Sequence, residues 1–88
     1  MTERQVTIVN SLGMHARPAA QVVKTASAYR AHIELVKDGV AINGKSIMGV
    51  MMLAAECGSS LTIRADGPDE TAALDALAAL VAAGFGEA

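Results

Sequence analysis

A histidine, an arginine and a proline stand together where a helical pattern begins, in Gly13-Met14-His15-Ala16-Arg17-Pro18. An imidazole nitrogen can act as a nucleophile and carry a transferred group. The first amides of a helix lack intrahelical acceptors and form the positive end of the macrodipole. A phosphoryl group placed on His15 would therefore meet N–H donors, as anions do at helix starts. Arg17 adds a permanently charged fork that matches phosphate oxygens. Pro18 falls in the first turn, where an N–H has no helical partner to lose. Taken singly, His15 reads equally as an exposed cap and Arg17 as a solvated residue. Their spacing is what points to phosphoryl chemistry.

A second segment, Lys45-Ser46-Ile47-Met48-Gly49-Val50-Met51-Met52-Leu53, begins with a good N-cap, Ser46. A phosphate on that hydroxyl would also sit at a helix start. The helix expected from Ser46 to about Ala54 is apolar all round. Ile47, Val50, Met51 and Ala54 share one face, and Met48, Met52 and Ala55 another. Either the helix is deeply buried, or one face is left as a Met-rich patch of the kind that meets partners.

Gly39-Val40-Ala41-Ile42-Asn43-Gly44-Lys45-Ser46 matches the phosphate-binding pattern G-x-x-x-x-G-K-S letter for letter. Its middle, however, is β-branched and alternating, and Asp38-Gly39 marks it as half of a hairpin. A strand ladder would use the amides that a nucleotide needs, so ATP chemistry here is the weakest of the readings. His32 reads as a surface residue and Cys57 as a small buried or turn residue. Asp66, Asp69 and Glu70 read as turn and helix-start acids, Phe85 as a helix-end anchor and Glu87 as part of a frayed tail.

The composition narrows the classes. The 88 residues carry a net charge of −2, with a pI near 5.5, and only Tyr29 and Phe85 are aromatic. This argues against a nucleic-acid partner, which calls for positive charge and stacking surfaces. One cysteine, and no metal-ligand spacing with His15 or His32, argues against a disulfide or a metal. No cofactor is expected. Met1–Arg4 lacks the apolar core of a signal peptide, and no apolar run approaches the ~20 residues of a membrane span. A cytoplasmic, monomeric protein is expected, with residues 1–88 as a single domain.

The elements that must hold these residues follow from periodicity. Strands are expected at Arg4–Val9 (Val6 and Ile8 inward), His32–Lys37 (Ile33 and Leu35 inward), Val40–Asn43 and Leu61–Ala65. A helix from Ala16 would bury Ala16, Ala19/Ala20, Val23 and Ala26. Gly67-Pro68-Asp69-Glu70 opens another, with Pro just inside; it would bury Leu74, Leu77, Leu80 and Val81 and end at Gly84. The order is βαββαβα. One wet face per strand favours an α+β fold with helices layered on one side of an antiparallel sheet. A ferredoxin-like arrangement is the alternative.

On Gly13–Ala20 and on Gly44–Met51, and in length and element order, the chain resembles the HPr phosphocarrier family of the bacterial phosphoenolpyruvate-dependent phosphotransferase system. The resemblance runs from about Gln5 to Gly84. It implies an open-faced β-sandwich with a four-stranded antiparallel sheet and three helices on one face. It implies that His15 accepts a phosphoryl group at Nδ1 from phosphorylated enzyme I and passes it to an enzyme IIA domain, with Arg17 steadying the phosphate. Such a protein is a carrier, not an enzyme. Ser46 resembles the serine modified by the HPr kinase/phosphorylase. Ile47, Met48 and Met51, with Pro18 and Ala20 beside His15, would form the docking face. The alternative is a regulatory binding module acting through phosphorylated Ser46, with His15 idle.

The chain departs from the family in two places. Ala54 and Ala55 stand where many members place a glycine, and Leu12 where some have a polar residue near the phosphate. Leu12-Gly13-Met14, Val50–Leu53 and Gly84–Glu87 resemble the nitrogen-related NPr branch. Lys45–Met48 resembles the kinase-regulated HPr group.

Overall fold

The computed structural model describes residues 1–87. The elements are β1 (Thr2–Thr7), α1 (Ala16–Ser27), β2 (His32–Lys37), β3 (Val40–Asn43), α2 (Ile47–Met52), β4 (Ser60–Asp66) and α3 (Glu70–Ala82), followed by a 3-10 turn at Gly84–Gly86. One antiparallel sheet has the strand order β1-β4-β2-β3. Three helices accompany this open sheet, so the α+β expectation holds and the ferredoxin-like alternative falls.

Register explains the layering. Leu35 lies opposite Ile63, and Ile33 opposite Ala65, so the apolar positions of β2 and β4 share one face. Ile33, Leu35, Leu61, Ile63 and Ala65 are buried, together with Val22 of α1, Val50 of α2, and Leu74, Leu77 and Val81 of α3. On the other face Arg64 lies between Glu3 and Glu34. Its Nε donates to the Glu3 carboxylate at 2.9 Å, a cross-strand charge pair on a half-exposed surface.

The hairpin strands β2 and β3 keep their expected limits, and Asp38 and Gly39 both take positive φ between them. Other boundaries shift. β1 runs Thr2–Thr7 rather than Arg4–Val9, because β4 continues to Asp66 and Ala65 pairs with Thr2. Beyond Thr7, Ile8 bonds the loop groups of Ser59 and Gly58 instead, and Val9 is exposed. The buried stripe of α1 is Pro18, Ala19, Val22 and Ala26. It is rotated from the expected one, so Ala16 and Ala20 are exposed and Val23 is half-buried.

α3 starts at Glu70, two residues past Pro68. Its N-cap, Asp69, sends its carboxylate away from the helix, to the amides of Arg30 and Ala31 at 2.8 Å each. The Arg30 amide is the main reason that the Asp69 pKa lies below its ordinary value. A depressed carboxylate pKa contributes stability that is complete above the unfolded value and lost as pH falls through the folded one. Asp69 thus fastens the α1–β2 connection at neutral pH and releases it in acid. No helix among the described residues is long and apolar enough to cross a membrane.

Candidate functional site

The loop from Asn10 to Met14 sets the start of α1. Gly13 has φ +67°, and a Cβ there would lie 2.4 Å from the Ala55 carbonyl oxygen, so only glycine fits. This close approach lets the Met14 amide donate to that same carbonyl at 2.8 Å. His15 follows as the N-cap in extended conformation (φ −83°, ψ −172°), its carbonyl accepting from the Ala19 amide at 3.0 Å. Its side chain makes no capping hydrogen bond. Pro18, at the third helical position, has no amide to offer. The amides of Ala16 and Arg17 are therefore the open donors of this helix start, with no acceptor among the described residues.

The imidazole is about one-third exposed. Its Nε2 lies 2.8 Å from the carboxylate of Glu87, which is itself largely covered. Asn10, 4% exposed, donates from Nδ2 both to Glu87 at 2.9 Å and to the Gly13 carbonyl at 2.8 Å. One buried amide thus ties the loop before His15 to the segment after α3. The Asn10 Oδ1 is buried with no partner among the described residues.

The path of the chain to Glu87 is unusual. Gly84, Phe85 and Gly86 have φ of +62°, +57° and +73°. Glycine adopts this conformation freely, whereas a bulky residue is strained by it. Burial of the Phe85 ring and a 3.1 Å bond from Gln21 Nε2 to the Phe85 carbonyl hold the turn against α1. Glu87 is therefore not a frayed tail. Nothing local marks it as a partner of His15. The available signals were an aromatic residue between two glycines, which suggests a chain reversal, and an Asn beside the His15 loop.

Arg17 is exposed and lines an open depression with Gln21, Phe85 and Glu87. The His15 ring lines the adjacent one with Met14, Met51 and Cys57, and Leu12 borders both. Arg17 and His15 thus lie on one flank but in neighbouring hollows, with Glu87 between them. Arg17 has no ion pair among the described residues. Cys57 lies exposed in a turn, and His32 is exposed at the start of β2.

α2 is shorter than expected, ending at Met52. Ser46 is its N-cap, and its Oγ accepts from the Gly49 amide at 3.2 Å. Neither expected face is buried whole: Val50 and Leu53 turn inward. Ile47, Met48, Met51 and Met52 remain exposed, Met48 by 68% and Met52 by 77%. A six-residue helix on a sheet can bury little more than one or two positions. Ala20 is exposed on α1, but Pro18 is fully buried and offers no docking surface. Its ring faces the core because the buried stripe of α1 begins at Pro18. The segment resembling a nucleotide loop is strand for four of its residues, and Lys45 Nζ donates to the Tyr29 carbonyl at 2.7 Å.

With this geometry in place, the comparisons with known proteins are decisive. A family model described as the PTS HPr component phosphorylation site matches residues 2–83. The chain belongs to the HPr family. It is 48% identical to the phosphocarrier protein HPr of Cupriavidus necator, over 99% of this chain and 98% of that one. It is 44% identical to the phosphocarrier protein NPr of Shewanella violacea, over 98% and 94%. Among solved structures, HPr from Thermoanaerobacter tengcongensis superposes with a TM-score of 0.96 at 43% identity, covering 100% of this chain and 99% of that one. Phosphocarriers of both the HPr and NPr names therefore match almost end to end.

Proposed function

We propose that this chain carries a phosphoryl group on His15 Nδ1, accepted from phosphorylated enzyme I and donated to an enzyme IIA domain. The observation that carries the reading is a partly exposed imidazole at a helix start whose first two amides have no acceptor among the described residues. A phosphoryl oxygen would complete those donors. Arg17, unpaired in the next hollow among the described residues, reaches the phosphate by a change of rotamer and adds charge-assisted bonds. Among the described residues no second charged donor bonds the ring, which suits a carrier that must also release its cargo.

Ile47, Met48 and Met51, with Ala20 on α1, supply the docking surface. An apolar patch of this size suits transient encounters. Ser46, half-buried beside that patch, is the regulatory position for an HPr kinase/phosphorylase. A phosphate there adds about −1.5 to −2 charge next to Ile47 and opposes docking.

The test uses labelled phosphoenolpyruvate and enzyme I, with His15→Ala as the control. Acid-labile, alkali-stable label on the wild-type chain and none on the variant is the expected result. Label that persists in His15→Ala would sink the assignment.

A further inference from the structure

We infer that Glu87, held by Asn10, is a positioning residue for phosphoryl transfer at His15. This rests on the carrier reading. An ionised carboxylate only accepts hydrogen bonds, so a Glu87 oxygen 2.8 Å from Nε2 places the ring proton on Nε2. Nδ1 then carries the lone pair that is free to attack a donor. Two features show that the contact is built rather than incidental. Asn10 spends both hydrogens of its buried amide on Glu87 and on the Gly13 carbonyl, locking the carboxylate to the loop that carries His15. Three consecutive left-handed residues, one of them a buried phenylalanine, are needed to bring Glu87 to the ring. Backbone strain of this kind collects where a constellation must be held.

The transfer balances without a proton acceptor. The Nδ1 lone pair forms the new N–P bond while the N–P bond of the donor phosphohistidine breaks, its electron pair returning to the donor ring. The Nε2 proton stays in place, and the His15 ring gains positive charge. A carboxylate already in contact with Nε2 meets that charge as it develops. Glu87 thus does for this imidazole what the aspartate does in a Ser-His-Asp triad: it fixes the tautomer and stabilises the charged ring.

The experiment pairs ring NMR with transfer kinetics on wild type, Glu87→Ala and Glu87→Gln. Glu87 lies outside the sheet and helices, and circular dichroism checks that each variant is folded. Wild type should show a slowly exchanging Nε2–H with the nitrogen shifts of an Nε2-protonated ring. Glu87→Ala should lose that signal. Its turnover number for phosphoryl acceptance from phospho-enzyme I should fall on the order of tenfold, with KM for the donor unchanged, as when an outer-shell carboxylate is removed from a histidine. Glu87→Gln loses the negative charge and, with its oxygen held by the Asn10 amide, turns an NH2 donor toward Nε2, so it too should lose the signal and be slowed at least as much as Glu87→Ala. Wild-type turnover in Glu87→Ala, or a slowed variant whose Nε2–H is intact, overturns Glu87's role while leaving the carrier reading standing. A wild-type chain that takes no label from phospho-enzyme I overturns the carrier reading and this inference with it.

Discussion

Two helix starts in this molecule carry the residues of interest, and they are finished in opposite ways. At α2, Ser46 turns its own hydroxyl back onto the Gly49 amide and closes the end. At α1, His15 occupies the equivalent N-cap position but makes no such bond, and its ring is held instead by a carboxylate 72 residues along the chain. A capped end is worth stability, typically about 1 kcal/mol, and has one donor fewer for anything else. An uncapped end forgoes that stability and keeps its amides available. The start of α3 shows a third use, since Asp69 spends its carboxylate on the Arg30 and Ala31 amides rather than on its own helix. Similar positions therefore serve display, closure and cross-linking, and the side chain at the N-cap decides which.

The sharpest way to break this contrast is at Gly13. Gly13→Ala forces a Cβ toward the Ala55 carbonyl in a left-handed conformation. We expect a loss of about 2–3 kcal/mol in urea unfolding, within the range for strained backbone sites, together with impaired phosphoryl acceptance. Wild-type stability and rate would mean that the α1 start does not depend on this loop. At α2 the cap and the charge can be separated. Ser46→Asp retains a good cap but adds a negative charge beside Ile47; we expect acceptance from phospho-enzyme I to slow on the order of tenfold, a difference of about 1.4 kcal/mol. Ser46→Ala should cost about 1 kcal/mol of stability and leave the rate alone. Equal rates for the two variants would remove charge as the basis of regulation. The smallest effect concerns Ala54, which follows α2 with φ +50°. Ala54→Gly should raise stability by about 0.5–1 kcal/mol, since glycine takes that conformation without a steric penalty; an unchanged melting temperature would refute it.

What could be read from the residues alone follows the range of the interactions. The β2–β3 hairpin was legible because Asp38-Gly39 encodes its own turn. Ser46 was legible as a cap because capping is local. The exposed apolar side of α2 was legible only as an alternative, since periodicity does not say how much sheet lies beneath a helix. Ala54 shows the converse: its position after Leu53 flagged a departure, and the structure gives the reason as a backbone conformation that glycine prefers. The burial of Pro18 was missed because alanine-rich α1 has no sharp apolar edge, so its stripe could be drawn one residue off. Glu87 was missed because its placement needs the αL turn at 84–86, the Asn10 amide and the assembled sheet all at once. No window of sequence contains these three.

The span between Asn10, His15 and Glu87 has a consequence for biogenesis. β1 has no partner until β4 has been made, and the carboxylate beside the imidazole arrives only after α3. Such distant pairings close late, after their loop entropy has been met. In a growing chain the histidine therefore precedes its surroundings, and the ring gains its carboxylate neighbour only once α3 and the turn after it have been made.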